Sequence, residues 1–125
     1  MTDSLSFIDK ILNAFPEFAK FRDVYWDDEG NDTTPVCIDL SRFADYAWSR
    51  SLNWVDGDFN LLWRIILDLL NLKNQHIYDC IDTCFMETLD YKALEESNHS
   101  LVERWKSQMP DFAYALSPEW RERRV

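Results

Sequence analysis

Two glycines and four prolines in 125 residues leave this chain few places to reverse direction tightly. A sheet-rich fold needs many such places, because hairpin turns want residues that tolerate unusual backbone angles. The scarcity therefore favours helices joined by short loops. The apolar pattern agrees. Phe7, Ile8, Ile11, Leu12 and Phe15 recur at helical spacing behind Asp3 or Ser4, either of which can cap a helix. Pro16 ends that helix and can open the next, whose stripe is Phe18, Phe21, Val24 and Tyr25. Asp27-Asp28-Glu29-Gly30-Asn31-Asp32 is a loop by composition. Thr33 to Ile38 has the only strand character, weakened by Pro35.

Asp39 or Ser41 is placed to cap a third helix through Phe43, Ala44, Ala47 and Trp48. After a second acidic turn at Asn53 to Asp58, a helix led by Asp58 or Asn60 carries Leu61, Leu62, Trp63, Ile65, Ile66, Leu67, Leu69, Leu70 and Leu72. Apolar residues surround nearly its whole circumference, which places it at the centre of the fold. Residues 75–90 are amphipathic, with Ile77, Cys80, Ile81, Cys84, Phe85, Thr88 and Leu89 on one face. Asp79, Asp82, Met86, Glu87 and Asp90 occupy the other. Ser97 or Ser100 begins a helix through Leu101, Val102 and Trp105, and Pro110 and Pro118 divide the remainder into short helical pieces. The tail from Arg121 to Arg124 is expected to be exposed or frayed. The expectation is one domain over residues 1–125, all-α, a compact bundle of about five to seven helices around an apolar central helix.

The formal net charge is -10. The excess sits in residues 1–100, where 19 acids face 8 bases; beyond them 4 acids face 5 bases. Such a body repels nucleic acid and anionic membranes and draws in a basic partner, although acidity also serves solubility alone. The densest stretch holds Asp23, Asp27, Asp28, Glu29 and Asp32 with no base between 23 and 32, and Tyr25 and Trp26 lie among them. Two readings stand side by side. Either the rings are anchors ringed by acid, suited to a basic protein surface, or they belong to the core and the acids merely cover the fold. The face formed by Asp79, Asp82, Glu87 and Asp90 is a second candidate interface, and an ordinary solvated helix face is the simpler account of it.

Patterns for chemistry are sparse. His76, Cys80 and Cys84 fall at i, i+4 and i+8 on one helix, yet both cysteines lie on the apolar stripe, where free thiols pack as small hydrophobes. A fourth metal ligand would have to be His99 or Cys37, and the spacings match no familiar zinc pattern. The run Asp56-Gly57-Asp58-Phe59-Asn60 opens like a calcium loop but has Leu61 and Leu67 where glycine and a bidentate glutamate belong. No GxSxG, no glycine-rich phosphate loop and only two histidines are present, so the expectation is no enzyme, no cofactor and no metal. Three cysteines, an odd number without CxxC, argue against a disulfide framework and for a reducing cytoplasm. The first residues, Met1-Thr2-Asp3-Ser4, do not read as a signal peptide, and the apolar stretch 59–72 is too short and too charged to span a bilayer.

Phe7-Ile8-Asp9-Lys10-Ile11-Leu12, Phe15-Pro16-Glu17-Phe18 and Cys37-Ile38-Asp39-Leu40-Ser41-Arg42-Phe43 resemble an uncharacterised family of short bacterial proteins. So do the leucine-rich segment 61–72 and Ile81-Asp82-Thr83-Cys84-Phe85-Met86-Glu87-Thr88-Leu89, so that the resemblance reaches to about residue 116. The family's Gly-Pro before the C-terminal helix reads Gln108-Met109-Pro110 here. Its members look like immunity proteins, which bind a cognate toxin, often a nuclease, and block its active site or substrate groove. The resemblance implies a cytoplasmic binding protein with no catalytic residues. Asp27, Asp28, Glu29 and Asp32 would then meet Lys and Arg of a basic toxin, with Trp26 as anchor. An acidic regulatory module with a non-toxin partner is the alternative.

Overall fold

In the computed structural model the described backbone covers residues 3–96 and 98–122, and side chains are described over 7–96 and 98–120. Helix α1, Asp3–Ala14, buries Phe7, Ile8 and Ile11, the expected face. The cap expected at Asp3 or Ser4 lies outside the described side chains, as does the state of the tail from Arg121 to Arg124. Pro16 does open the next element, but this is a 3₁₀ helix, Pro16–Phe21, that stops at Arg22 in an extended conformation. The expected helical stripe through Val24 and Tyr25 therefore breaks. Tyr25 instead gives its backbone to a hairpin, with its carbonyl accepting from Thr33 N at 2.7 Å.

Helix α2, Val36–Arg50, starts earlier than the sequence indicates. No strand forms over 33–38. Pro35 stands at the N-cap, and its carbonyl accepts from the amides of both Ile38 and Asp39. Asp39, read as a cap, lies inside the helix with its carboxylate buried. A second 3₁₀ turn, Ser51–Asn53, leads to α3, Asp56–Leu70. There Asp58 Oδ2 accepts from Val55 N at 2.9 Å and ties down the first turn. Helix α3 buries Phe59, Leu62, Trp63, Ile65, Ile66 and Leu69, and opens one face to solvent at Arg64, Leu67 and Asp68.

Residues 75–96 run as one helix in three parts: α4, Gln75–Cys80; a π segment, Ile81–Met86; and α5, Glu87–Glu96. The buried positions explain the wider turn. Ile77, Ile81, Phe85, Leu89 and Ala93 are buried and recur every fourth residue. At 3.6 residues per turn that stripe drifts by about 40° with each step. One widened turn takes out much of the drift and keeps the stripe on the core. It also swings Met86 inward, so this residue, expected on the polar face, is only 1% exposed.

Asn98, rather than Ser97 or Ser100, caps α6, His99–Gln108, by accepting from Leu101 N at 3.1 Å. Ser97 itself lies outside the described residues. Two short helices, α7, Asp111–Leu116, and α8, Glu119–Glu122, follow the breaks at Pro110 and Pro118. Helix α2 packs against both 3₁₀ turns, α4, the π segment and α5, while α3 packs against α1, α4 and α6. The core is aromatic: Phe43 meets Phe15, Phe18 and Phe85, and Trp105 meets Trp48, Trp54, Phe59 and Trp63. Its polar atoms are satisfied locally at Ser51, whose Oγ accepts from Trp105 Nε1 at 2.9 Å and donates to the Trp48 carbonyl at 2.7 Å. The all-α bundle is thus as expected, and no described helix is long and apolar enough to cross a membrane.

Candidate functional site

Between the first 3₁₀ helix and α2 the chain makes one projection, a hairpin at residues 23–34. Trp26 pairs with Asp32 in an isolated antiparallel bridge. Asp27 to Gly30 form the turn, closed by Gly30 N donating to the Asp27 carbonyl at 3.1 Å. Gly30 has φ +82°, the left-handed conformation this turn requires and which favours glycine. Asp27 Oδ1 accepts from the amides of Glu29 and Asn31 at 2.9 and 2.8 Å. These bonds, that of the Asn31 amide first, hold its carboxyl below the ordinary value.

The hairpin is fixed to the bundle through Arg22. Its guanidinium spans Asp39, with Nε to Oδ1 at 2.8 Å and Nη2 to Oδ2 at 3.0 Å, and Nη2 also donates to Asp32 Oδ2 at 2.8 Å. The side chains of Arg22 and Asp39 are 8% and 4% exposed, so this is an interior pair on which the loop hangs. Burial works against the Arg22 charge, and the hydrogen bonds to Asp39 and Asp32 override it. Burial pushes the Asp39 carboxyl up while Arg22 pulls it back. Asp32 also feels burial, yet hydrogen bonds from Thr34 and Arg22 leave it below its ordinary value. Arg22 escaped the sequence reading. Its signal was its place as the base immediately before a five-acid stretch.

The rings of the hairpin are outside the core. Trp26 is 65% exposed and Tyr25 is 48% exposed. Of the acids beside them, Asp23 is ion-paired with Arg42 of α2, and Asp27 and Asp32 use their oxygens to build the loop. Asp28 and Glu29 are exposed at the turn, and neither side chain has a partner among the described residues. The four predicted contact acids therefore divide into two that shape the hairpin and two that face outward. Asp79, Asp82, Glu87 and Asp90 lie on the helix 75–96, a different element from the hairpin at 23–34. Asp79 accepts from Gln75 Nε2 at 2.8 Å.

Set against family models, curated proteins and solved structures, the chain matches none. Two open depressions, one lined by Leu70, Lys73, Asn74, Gln75 and Tyr78 and one by Gly57, Asn60, Leu61 and Arg64, set no acid beside a nucleophile.

The cysteines depart from expectation. Cys37 on α2 and Cys84 on the π segment form a disulfide. An odd cysteine count cannot reveal this, because the pairing depends on α2 lying alongside the helix 75–96. Ser41 Oγ marks that approach by donating to the Cys84 carbonyl at 3.4 Å. With a disulfide formed, the cysteines no longer point to a reducing compartment. Cys80 remains a buried free thiol, pushed up by burial and by Asp79.

Proposed function

We propose that the chain is an immunity-type protein that binds a basic, nuclease-class bacterial toxin and neutralises it by covering its active site or substrate groove. The observation that carries this reading is Trp26, held in the open on a hairpin whose turn carries the outward-facing acids Asp28 and Glu29. A large exposed ring on a pre-ordered loop fills a pocket at low entropic cost, which is how binding anchors work. Asp28 and Glu29 beside it supply charge that steers a basic surface into place, helped by the -10 net charge of the whole chain. Asp27 and Asp32 serve the interface by shaping the loop. The mechanism is occlusion and uses no catalytic residue of this chain, and cytoplasmic residence belongs to the same reading.

Co-expression with the adjacent open reading frame, followed by co-purification, tests it. The expected result is a complex whose toxin is inactive and whose affinity falls as salt rises above about 0.1 M, where the Debye length drops below about 10 Å. An affinity indifferent to salt removes the electrostatic steering. Recovery of a basic partner that is not a toxin moves the reading to the regulatory alternative.

A further inference from the structure

The three cysteines, scattered in sequence at 37, 80 and 84, meet in space. Their sulfurs lie within 4.8 Å of one another, one from α2 and two from the helix 75–96. The π segment begins at Ile81, directly after Cys80, and contains Cys84, so the irregular turn sits at this cluster. Such turns collect at functional sites. A fourth donor stands beside one of them: His76 Nε2 is 3.8 Å from Cys80 Sγ, outside the three-sulfur group, and closes on the other two by a side-chain turn when an ion is bound. Cys80 is buried, Cys37 and Cys84 are half-buried and His76 is exposed, so the cluster opens to solvent on the histidine side.

We propose that this cluster is a site for a thiophilic divalent ion, Zn²⁺ above all, that forms when the Cys37–Cys84 bond is reduced. Three thiolates and one imidazole make a familiar tetrahedral zinc set. The sequence offers these four residues but no recognisable zinc spacing, because Cys37 comes from a different helix, 43 residues before the next cysteine. Reduction takes two electrons from a thiol, which gives up its two protons and leaves as a disulfide, or from a phosphine, which leaves as its oxide while water supplies the oxygen and both protons; either way it yields the thiols of Cys37 and Cys84. Binding of Zn²⁺ then forms three Zn–S bonds and releases three protons to water, while neutral His76 donates its Nε2 lone pair. The disulfide and the metal complex are alternative states of the same three sulfurs, so the ion is held only in the reduced chain.

The test is cobalt substitution in the full chain. Protein reduced with a phosphine under anaerobic conditions is titrated with Co²⁺, then with Zn²⁺. The expected result is one Co²⁺ per chain with thiolate-to-cobalt charge-transfer absorption and the intense visible bands of tetrahedral cobalt, both erased by Zn²⁺ and both absent from oxidised protein. C80S weakens Zn²⁺ binding by more than about tenfold, and H76A keeps the charge transfer but alters the visible bands. C37S provides the same test should C80S fail to fold. Reduced wild-type protein without charge-transfer absorption overturns the proposal. So does a C80S or C37S protein that binds as wild type does, or thiol–disulfide exchange among the three cysteines with no metal bound. Visible bands unchanged in H76A remove His76 from the ligand set.

Discussion

At the scale of single residues, Arg22 and Trp26 are opposites, although both belong to the same hairpin. Arg22 is interior and makes three hydrogen bonds to two carboxylates. Removing it leaves Asp39 buried without its counter-charge, the expensive way to break an interior ion pair. R22A is expected to lose about 3–5 kcal/mol of unfolding free energy in urea denaturation. A loss below about 1 kcal/mol would mean that water replaces the guanidinium and that the pair is not the anchor of the loop. Trp26 has the reverse profile, because two thirds of its surface already faces water. W26A should leave stability within about 0.5 kcal/mol of wild type. Against a co-purified partner it should lower affinity by about a hundredfold, as loss of a hot-spot ring does. Calorimetry on both variants separates the two roles. Equal effects of both on stability would place Trp26 in the core after all.

Among the elements, the hairpin is the one whose stability follows pH. Asp27 and Asp32 both have carboxyls below their ordinary value of 3.8 in the folded chain. A depressed folded pKa adds stability above the unfolded value, and that contribution is lost as pH falls through the folded one. The hairpin should therefore be closed at pH 5 and above and loosen progressively below about pH 4, where these acids take up protons. Asp39 runs the other way: its raised value lets it accept a proton earlier, so Arg22 loses a partner in the same descent. Amide resonances of Glu29, Asn31 and Thr34, which donate to these carboxylates, should shift together in that window while amides of α3 hold still. Simultaneous movement of α3 would show global unfolding instead. A second element carries built-in strain. Lys73, just past α3, has φ +55°, the left-handed region in which a side chain costs about 1 kcal/mol or more. K73G should raise the midpoint of thermal unfolding by a few degrees, net of the greater freedom glycine brings to the unfolded chain. An unchanged or lower midpoint would mean that the Lys73 side chain offsets its backbone. The elements also show where the sequence was readable. The stripe from Phe7 to Phe15 announces a helix because one face repeats, and the run from Leu61 to Leu72 does so by its apolar length. The π segment did not announce itself, since a widened turn changes the period in mid-helix and a template of 3.6 misplaces Met86.

For the whole molecule, the class of fold was legible in the scarcity of turn formers and in the helical periods, and the loop at 27–32 in its composition. What escaped was long-range: Arg22 reaching Asp39, and Cys37 reaching Cys84 across 47 positions. Both depend on how α2 lies against its neighbours, which no local window contains. The second has a consequence for the entire chain. A link of that separation removes conformations from the unfolded ensemble worth about 4 kcal/mol of stability in the chain-entropy account. That is a large share of the margin of a domain this size, typically about 5–15 kcal/mol. Reduction should therefore lower the unfolding free energy by up to that amount, and denaturation curves with and without a phosphine reductant, paired with a count of free thiols, measure it. One free thiol per chain before reduction and three after are expected. A loss well under 1 kcal/mol with three thiols confirmed would mean that the unfolded chain already holds α2 and the helix 75–96 near each other. In that case the contact between these two elements, and not the covalent link, sets the stability of this side of the bundle.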